Sequence, residues 1–285
     1  MIIAVASGKG GTGKTTVSIN LALTSTENII LEDCDVEEPN AALFLQFPKT
    51  GSKPVSISVP SVDLSKCNGC GECSSFCRFN ALITFSGRTE VLSEFCHSCN
   101  GCMLVCPEKA ISMTERRIGV VNTYSSEKIE LKEGVLDTGI ASSPPLIRAL
   151  KKTTESTELI IRDSPPGTAC PVTTTIAGSD YVILVTEPTP FGIHDLKMAV
   201  EMVQTAEIPF GIIINRSTED NVLIDDFVKS ENLNVLARIP LSLKTARMYS
   251  EGIPAVNDPQ MRKIFEDIWK KIPLNHEGVL EPLSE

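Results

Sequence analysis

Eight of the ten cysteines fall in two runs of identical spacing. Cys67, Cys70, Cys73 and Cys77 form C-x2-C-x2-C-x3-C, and Cys96, Cys99, Cys102 and Cys106 repeat it. Thiolates this closely spaced are ligands for soft metals. A zinc site rarely needs a third cysteine so near the first two, so iron–sulfur clusters are the expected occupants and two zinc ions the alternative. A second pattern lies near the start. Gly8-Lys9-Gly10-Gly11-Thr12-Gly13-Lys14-Thr15 fits G-x-x-x-x-G-K-[ST], with Thr16 next, between an apolar strand and a helix expected to begin near Lys14. Its glycines let successive N–H groups turn toward phosphates, and the helix N-terminus adds favourable partial charge. Lys14 then reaches the terminal phosphates and the Thr15 hydroxyl holds Mg²⁺. The alternative is a glycine-rich turn without a ligand.

The elements that must position these groups show in the short apolar runs Ile2 to Ala6, Ile29 to Leu31, Leu159 to Ile161, Tyr181 to Val185, Phe210 to Ile214 and Val235 to Ile239. Near-continuous β-branched runs predict strands buried on both faces, hence an α/β fold with a mostly parallel sheet. The rhythm breaks between Asn40 and Gly134, where a link punctuated by Pro48, Pro54 and Pro60 leads into the cysteine-rich stretch, and resumes around Ser143. The simplest parse is a small module, residues 61–116, inserted in a larger α/β domain made of residues 1–60 and 117–285 and ending in a helix near Arg262 to Lys271.

A chain of 285 residues with 42% hydrophobic and 22% charged residues has an ordinary globular composition. The excess of 36 acidic over 26 basic residues gives a net charge of -10 and a pI near 5.0, which argues against a broad nucleic-acid or anionic-membrane footprint. The start of the chain shows neither a basic leader nor a spanning apolar stretch, so a cytoplasmic protein is expected. In that reducing setting clustered cysteines are metal ligands in preference to disulfides.

Lys9 is not required by the general phosphate-loop pattern. KGGTGKTT resembles the deviant Walker A motif of the MinD, ParA, Mrp and nitrogenase iron protein superfamily, a P-loop ATPase fold in which this extra lysine reaches the partner subunit's nucleotide. The resemblance implies an ATP-sandwich dimer, with Lys9 as a solvated loop lysine the plainer reading. Other motifs follow in the superfamily's order. In LEDCDVEEPN, strand alternation puts Asp33 and Asp35 on one face and turns Cys34 away; the resemblance implies that Asp35 positions the attacking water and Asp33 assists the Mg²⁺ environment. In LIIRDSPPG, Asp163 looks like the Walker B aspartate and Gly167 lies in the γ-phosphate-sensing segment. GIIINRS supplies Asn215, implied to read the adenine edge, and ARIPLSLKTARMYSEGIPAV, from the region of Pro240, looks like the loop closing over the base.

The doubled cysteine run is similar to that of the two-cluster bacterial ferredoxins, in which the fourth cysteine of each run crosses to the other cluster. The resemblance implies Cys67, Cys70, Cys73 and Cys106 at one 4Fe-4S cluster and Cys96, Cys99, Cys102 and Cys77 at the other. Pro107 follows Cys106 as in that pattern, whereas Arg78 stands where the other proline would be. His97, between two ligands, reads as a bystander and His194 as a residue of a helix's first turn. Cys170 is placed after Asp163 as a cluster ligand is in the nitrogenase iron protein. No second cysteine lies between Cys106 and Cys170 to complete such a bridge, so it reads as a small buried side chain.

The whole chain looks like a MinD-superfamily ATPase with an inserted ferredoxin domain. This implies an ATP-hydrolysing homodimer, or a heterodimer with a related ATPase, whose nucleotide state gates electron transfer to an unidentified redox partner through two 4Fe-4S clusters. The alternative is a cluster carrier or assembly ATPase of the Mrp type; those typically hold a transferable cluster through C-x-x-C near the C-terminus, and no cysteine follows Cys170. A positioning ATPase would need membrane or DNA contact, and NHEGVLEPLSE lacks a basic amphipathic face. Neither nucleic acid nor membrane is expected as a partner.

Overall fold

The computed structural model describes residues 1–154, 159–218 and 221–273; the acidic NHEGVLEPLSE stretch lies outside them. The chain divides into two compact units. One holds Met1–Ser52, Val121–Val135 and the described residues from Ile147, and the other holds Lys53–Val120 and Leu136–Leu146.

In the first unit, β1 (Ile2–Ala6) leads through the glycine loop into α1 (Lys14–Thr24), followed by β2 (Ile29–Asp33) and α2 (Ala41–Leu45). Two long strands, β3 (Lys49–Val62) and β6 (Ile111–Ser125), pass from one unit into the other, and between them in sequence lie α3 (Glu72–Phe76), β4 (Leu82–Phe85), β5 (Arg88–Val91) and α4 (Gly101–Leu104). Then come β7 (Ile129–Leu136), α5 (Pro144–Lys152), β8 (Leu159–Asp163), α6 (Cys170–Ile176), β9 (Tyr181–Thr186), α7 (Pro190–Thr205), β10 (Phe210–Ser217), α8 (Val222–Ser230), β11 (Val235–Pro240), α9 (Leu243–Ser250) and α10 (Pro259–Trp269). The strand order is β11-β10-β9-β1-β8-β2-β7-β6-β3. Every pair from β11 to β7 is parallel.

All six apolar runs are strands of this sheet, and the inner five are buried on both faces as their composition predicts, whereas β11, at the sheet's edge, leaves Arg238 exposed. Alternation sends Ile3, Val5, Ile29 and Leu31 to a core shared with Val17 and Leu21 of α1 and Phe265 and Ile268 of α10. It sends Ala4 and Ala6 to the opposite core, with Leu184, Val200, Val203 and Ile214. The sequence reading had no strand between Asn40 and Gly134, yet β3, β6 and β7 extend the sheet there. On that opposite face Arg162 Nε donates to Glu32 Oε2 at 2.7 Å, both side chains buried, and Thr154 Oγ1 donates to Glu32 Oε1 at 2.6 Å. Among the described residues no helix is long and apolar enough to cross a membrane.

The second unit is broader than the 61–116 parse, because it includes the outer parts of β3 and β6 and residues 136–146. Asp63 N–H donates to Ala110 O and Ser125 N–H to Pro48 O, which makes β3 and β6 antiparallel. β4 and β5 form a hairpin with register Leu82↔Val91 and Thr84↔Thr89, turned at Ser86 and Gly87, both at positive φ (50° and 76°) as a tight two-residue turn requires. The small core consists of Cys73, Cys102, Ala81, Leu82 and Ile111, ringed by Val62, Val91 and three further cysteines. Thiols thus occupy positions that a module of this size would otherwise fill with aliphatic side chains.

Candidate functional site

The glycine loop opens α1 with Gly13 at φ 95° and no side-chain cap, so the first N–H groups of an 11-residue helix face outward from the loop. Gly11 also has positive φ, at 78°. A β-carbon on Gly8 would strike the Asp195 carbonyl and one on Gly13 would strike Asn215 Nδ2, so both positions demand glycine. Gly167 N–H donates to Ser7 O at 3.1 Å, tying the segment after β8 to the loop.

Lys14, Asp33, Asp35 and Asp163 converge below this loop. Register places Asp33 beside Asp163 on neighbouring parallel strands. Burial pulls the Lys14 pKa down, while the charges of Asp163, Asp35 and Asp33 oppose that. Burial, then the Asp163 charge, pushes Asp35 up to about 6. Burial lifts Asp163 to about 6 as well, against the Thr15 hydroxyl, the Lys14 charge and the Ser18 hydroxyl. Ser18 Oγ donates to Asp163 Oδ1 at 3.0 Å, but Asp163 Oδ2 and Thr12 Oγ1 are buried with no hydrogen-bond partner. Orphaned buried oxygens are costly. A Mg²⁺ ion with its water shell and a phosphate are the groups that would satisfy them, so the residues present fit a magnesium nucleotide.

The cysteines border two cavities of the second unit. Cys67, Cys70, Cys73 and Cys106 line one, a narrow space of about 10 Å³. Cys77, Cys96, Cys99 and Cys102 line the other, a cavity of about 390 Å³ that Arg78, Phe79 and His97 also border. Backbone N–H groups aim at the sulfurs: Ala81 at Cys77 Sγ and Ala110 at Cys106 Sγ, each 3.3 Å, and Ser98 at Cys96 Sγ, 3.4 Å. Such donors stabilise thiolate charge. Among the described residues no three His, Cys, Asp or Glu side chains close on a single ion. Four sulfurs around a volume, with amides pointing at them, fit an iron–sulfur cube.

The CobQ/CobB/MinD/ParA nucleotide binding domain family matches residues 3–255. The chain belongs to the MinD/ParA nucleotide-binding family. It is 29% identical over 279 residues to an uncharacterised protein of Methanocaldococcus jannaschii, covering 94% of this chain and 96% of that one. It is 25% identical to an iron-sulfur cluster carrier protein of Pyrococcus abyssi, covering 95% of this chain and 84% of that protein. The septum site-determining protein MinD of Pyrococcus horikoshii, solved with Mg-ADP, superimposes with a TM-score of 0.62 at 19% identity over 96% of both chains, which establishes a shared fold.

Within this MinD/ParA-family chain the structure brings together the loop residues, Asp33, Asp35 and Asp163, and adds details the sequence did not predict. Asp33 accepts N–H bonds from Asp35, Asn40 and Ala41 at 3.2, 3.0 and 3.0 Å, so its carboxylate organises the segment after β2. Asn215 Nδ2 donates to Thr12 O at 2.7 Å, bracing the loop. Lys9 Nζ lies 3.8 Å from the Glu187 carboxylate, whose other oxygen takes a 2.6 Å bond from Arg216, a residue at φ 53°. Pro240 closes β11 opposite Ser217. Cys170 is exposed at the first position of α6, not buried, because the strand-to-helix link leaves that end of α6 at the surface. Cys34 is fully buried on the Glu32 side. His97 stacks on Phe79 with centroids 3.7 Å apart, and His194 is exposed on α7. The MinD/ParA motifs alone did not single out Ser18, although it lies one helical turn beyond Lys14 on the same face. Glu187 and Arg216 carried no local signal at all.

Proposed function

We propose that this chain binds and hydrolyses Mg·ATP as a homodimer and carries two 4Fe-4S clusters whose electron exchange depends on the nucleotide bound. The observation that carries this reading is the occurrence, in one chain, of a phosphate loop with orphaned oxygens and of two cavities each bordered by four cysteines drawn from both runs. In it Lys14 and the loop amides hold the β- and γ-phosphates, Thr15 and Asp163 hold Mg²⁺, and Asp35 orients the attacking water. Asn215 keeps the loop in shape, and Lys9 leaves Glu187 to reach the nucleotide of the second copy.

Bound at the eight cysteines, the clusters supply one-electron chemistry. The residues of the second unit hold the sulfurs in place, and the Ala81, Ser98 and Ala110 amides offset thiolate charge. Anaerobic reconstitution should yield about eight iron and eight sulfide per chain; stoichiometric zinc without iron would end this reading.

A cluster carrier is the second reading, favoured by the 25% identity to iron-sulfur cluster carrier proteins over nearly the whole chain. Incubating loaded protein with an apo-ferredoxin separates the two. Retention of both clusters through ATP turnover supports electron transfer, and stoichiometric delivery supports the carrier.

A further inference from the structure

The two halves of the cysteine unit repeat with an offset of 29 residues: Cys67 corresponds to Cys96, Cys70 to Cys99, Cys73 to Cys102 and Cys77 to Cys106. The repeat extends beyond the ligands. Ala81 and Ala110, which donate N–H bonds of equal length to Cys77 and Cys106, obey the same offset. So do the ladders, since the hairpin pairs Thr84 with Thr89 and the β3–β6 bonds set Pro60, 29 positions before Thr89, opposite Met113, 29 positions after Thr84. Two equivalent places in one fold therefore carry different chemistry. One has a pair of hydroxyls, and the other a proline and a thioether with no side-chain donor between them.

One member of the hydroxyl pair borders a cavity and the other stands behind it. Thr89 is buried, 4% exposed, and borders the cavity of Cys67, Cys70, Cys73 and Cys106. Its Oγ1 lies 3.7 Å from Cys67 Sγ, 4.0 Å from Cys73 Sγ and 2.9 Å from Thr84 Oγ1. A cysteine that ligates a cluster is a thiolate and only accepts. With sulfur as the terminal acceptor, the two hydroxyls are satisfied together when Thr84 donates to Thr89 and Thr89 donates to sulfur.

We propose that Thr89, oriented by Thr84, is a positioning residue whose single hydroxyl proton is donated to the Cys67 sulfur, the nearer of the two, and raises the reduction potential of the cluster that sulfur holds, with no counterpart at the equivalent place beside the second cluster. The inference rests on the two-cluster reading. Its physical basis is that reduction adds negative charge to the cluster and its thiolates, so a donor at sulfur stabilises the reduced form more than the oxidised one. The effect compares one cluster with and without the hydroxyl, so the Arg78 charge at the other cavity does not enter it.

The test is an EPR-monitored redox titration of anaerobically reconstituted full-length protein, with iron and sulfide counted on each sample. In Thr89→Val one midpoint falls by about 59 mV, a tenfold change in a one-electron equilibrium, while the other stays. Thr89→Ser, which keeps the hydroxyl, restores it. Thr84→Val lowers the same midpoint by less and gives the reading if Thr89→Val fails to load. Unmoved midpoints in loaded Thr89→Val or Thr84→Val overturn the proposal, as do two midpoints that move together. Wild-type protein that takes up no iron overturns both the proposal and the two-cluster reading beneath it.

Discussion

At the scale of single residues, the proposed function gives different side chains to phosphate binding and to hydrolysis. Asp35 lies near Lys14 and Asp163 but outside the glycine loop, so Asp35→Ala should leave ATP affinity close to wild type while turnover falls at least tenfold, or about 1.4 kcal/mol in barrier. Equilibrium binding of a fluorescent ATP analogue beside steady-state phosphate release checks this, and parallel losses would argue that Asp35 binds ground-state nucleotide. The loop itself was readable from sequence because its chemistry is local: glycines, lysine and threonine at fixed offsets have few other uses. Asn215 bracing Thr12 and Glu187 holding Lys9 were not, since each joins residues that only the strand order brings together.

At the scale of elements, buried charge explains what periodicity did and did not reveal. β7 escaped notice because Lys132 and Glu133 interrupt its apolar run. Both are buried and paired: Lys132 Nζ donates to Thr153 O, and Glu133 accepts from Asn122 and Tyr124. β3 escaped because Pro54 and Pro60 lie within it, and it tolerates them as the last strand of the sheet. The Glu32–Arg162 pair makes the cost of such charges measurable. Arg162→Met should destabilise the first unit by about 3 to 5 kcal/mol by leaving a buried carboxylate with the Thr154 hydroxyl but no cation, and adding Glu32→Met should recover most of it. Urea midpoints of the two variants decide this, and equal destabilisation by both would contradict it. At the other end of the chain Asp258 caps α10, accepting from Gln260 and Met261. Lys244 first, then the Gln260 amide, hold its carboxyl below the ordinary value of 3.8. A depressed pKa contributes stability above the unfolded value that fades as pH falls through the folded one. Asp258→Ala should therefore lower Tm at neutral pH, and the gap from wild type should narrow in thermal melts taken progressively below pH 3.8. A gap independent of pH would mean the charge plays no part.

At the scale of the whole molecule, the chain passes between its two units at four places, after residues 52, 120, 135 and 146, and the first follows closely on Asp33, Asp35 and the segment that Asp33 organises. In the proposed two-cluster protein, nucleotide can bias the clusters only through contacts that differ between its two states. A coupling of about 1 to 3 kcal/mol corresponds to roughly 40 to 130 mV in a one-electron potential. Redox titrations with ADP and with a non-hydrolysable ATP analogue should differ by a shift in that range, and the difference should vanish in Lys9→Ala. Identical potentials in all four samples would show two units that are joined but not coupled. The 29-residue repeat bears on descent as well. Each cavity takes three cysteines from one half and its fourth from the other, so a single half completes neither. With ligands shared in this crossed way, a peptide of one half's length would complete such a site by pairing with its own copy, and joining two copies end to end turns an association that depends on concentration into one that every newly made chain carries within itself.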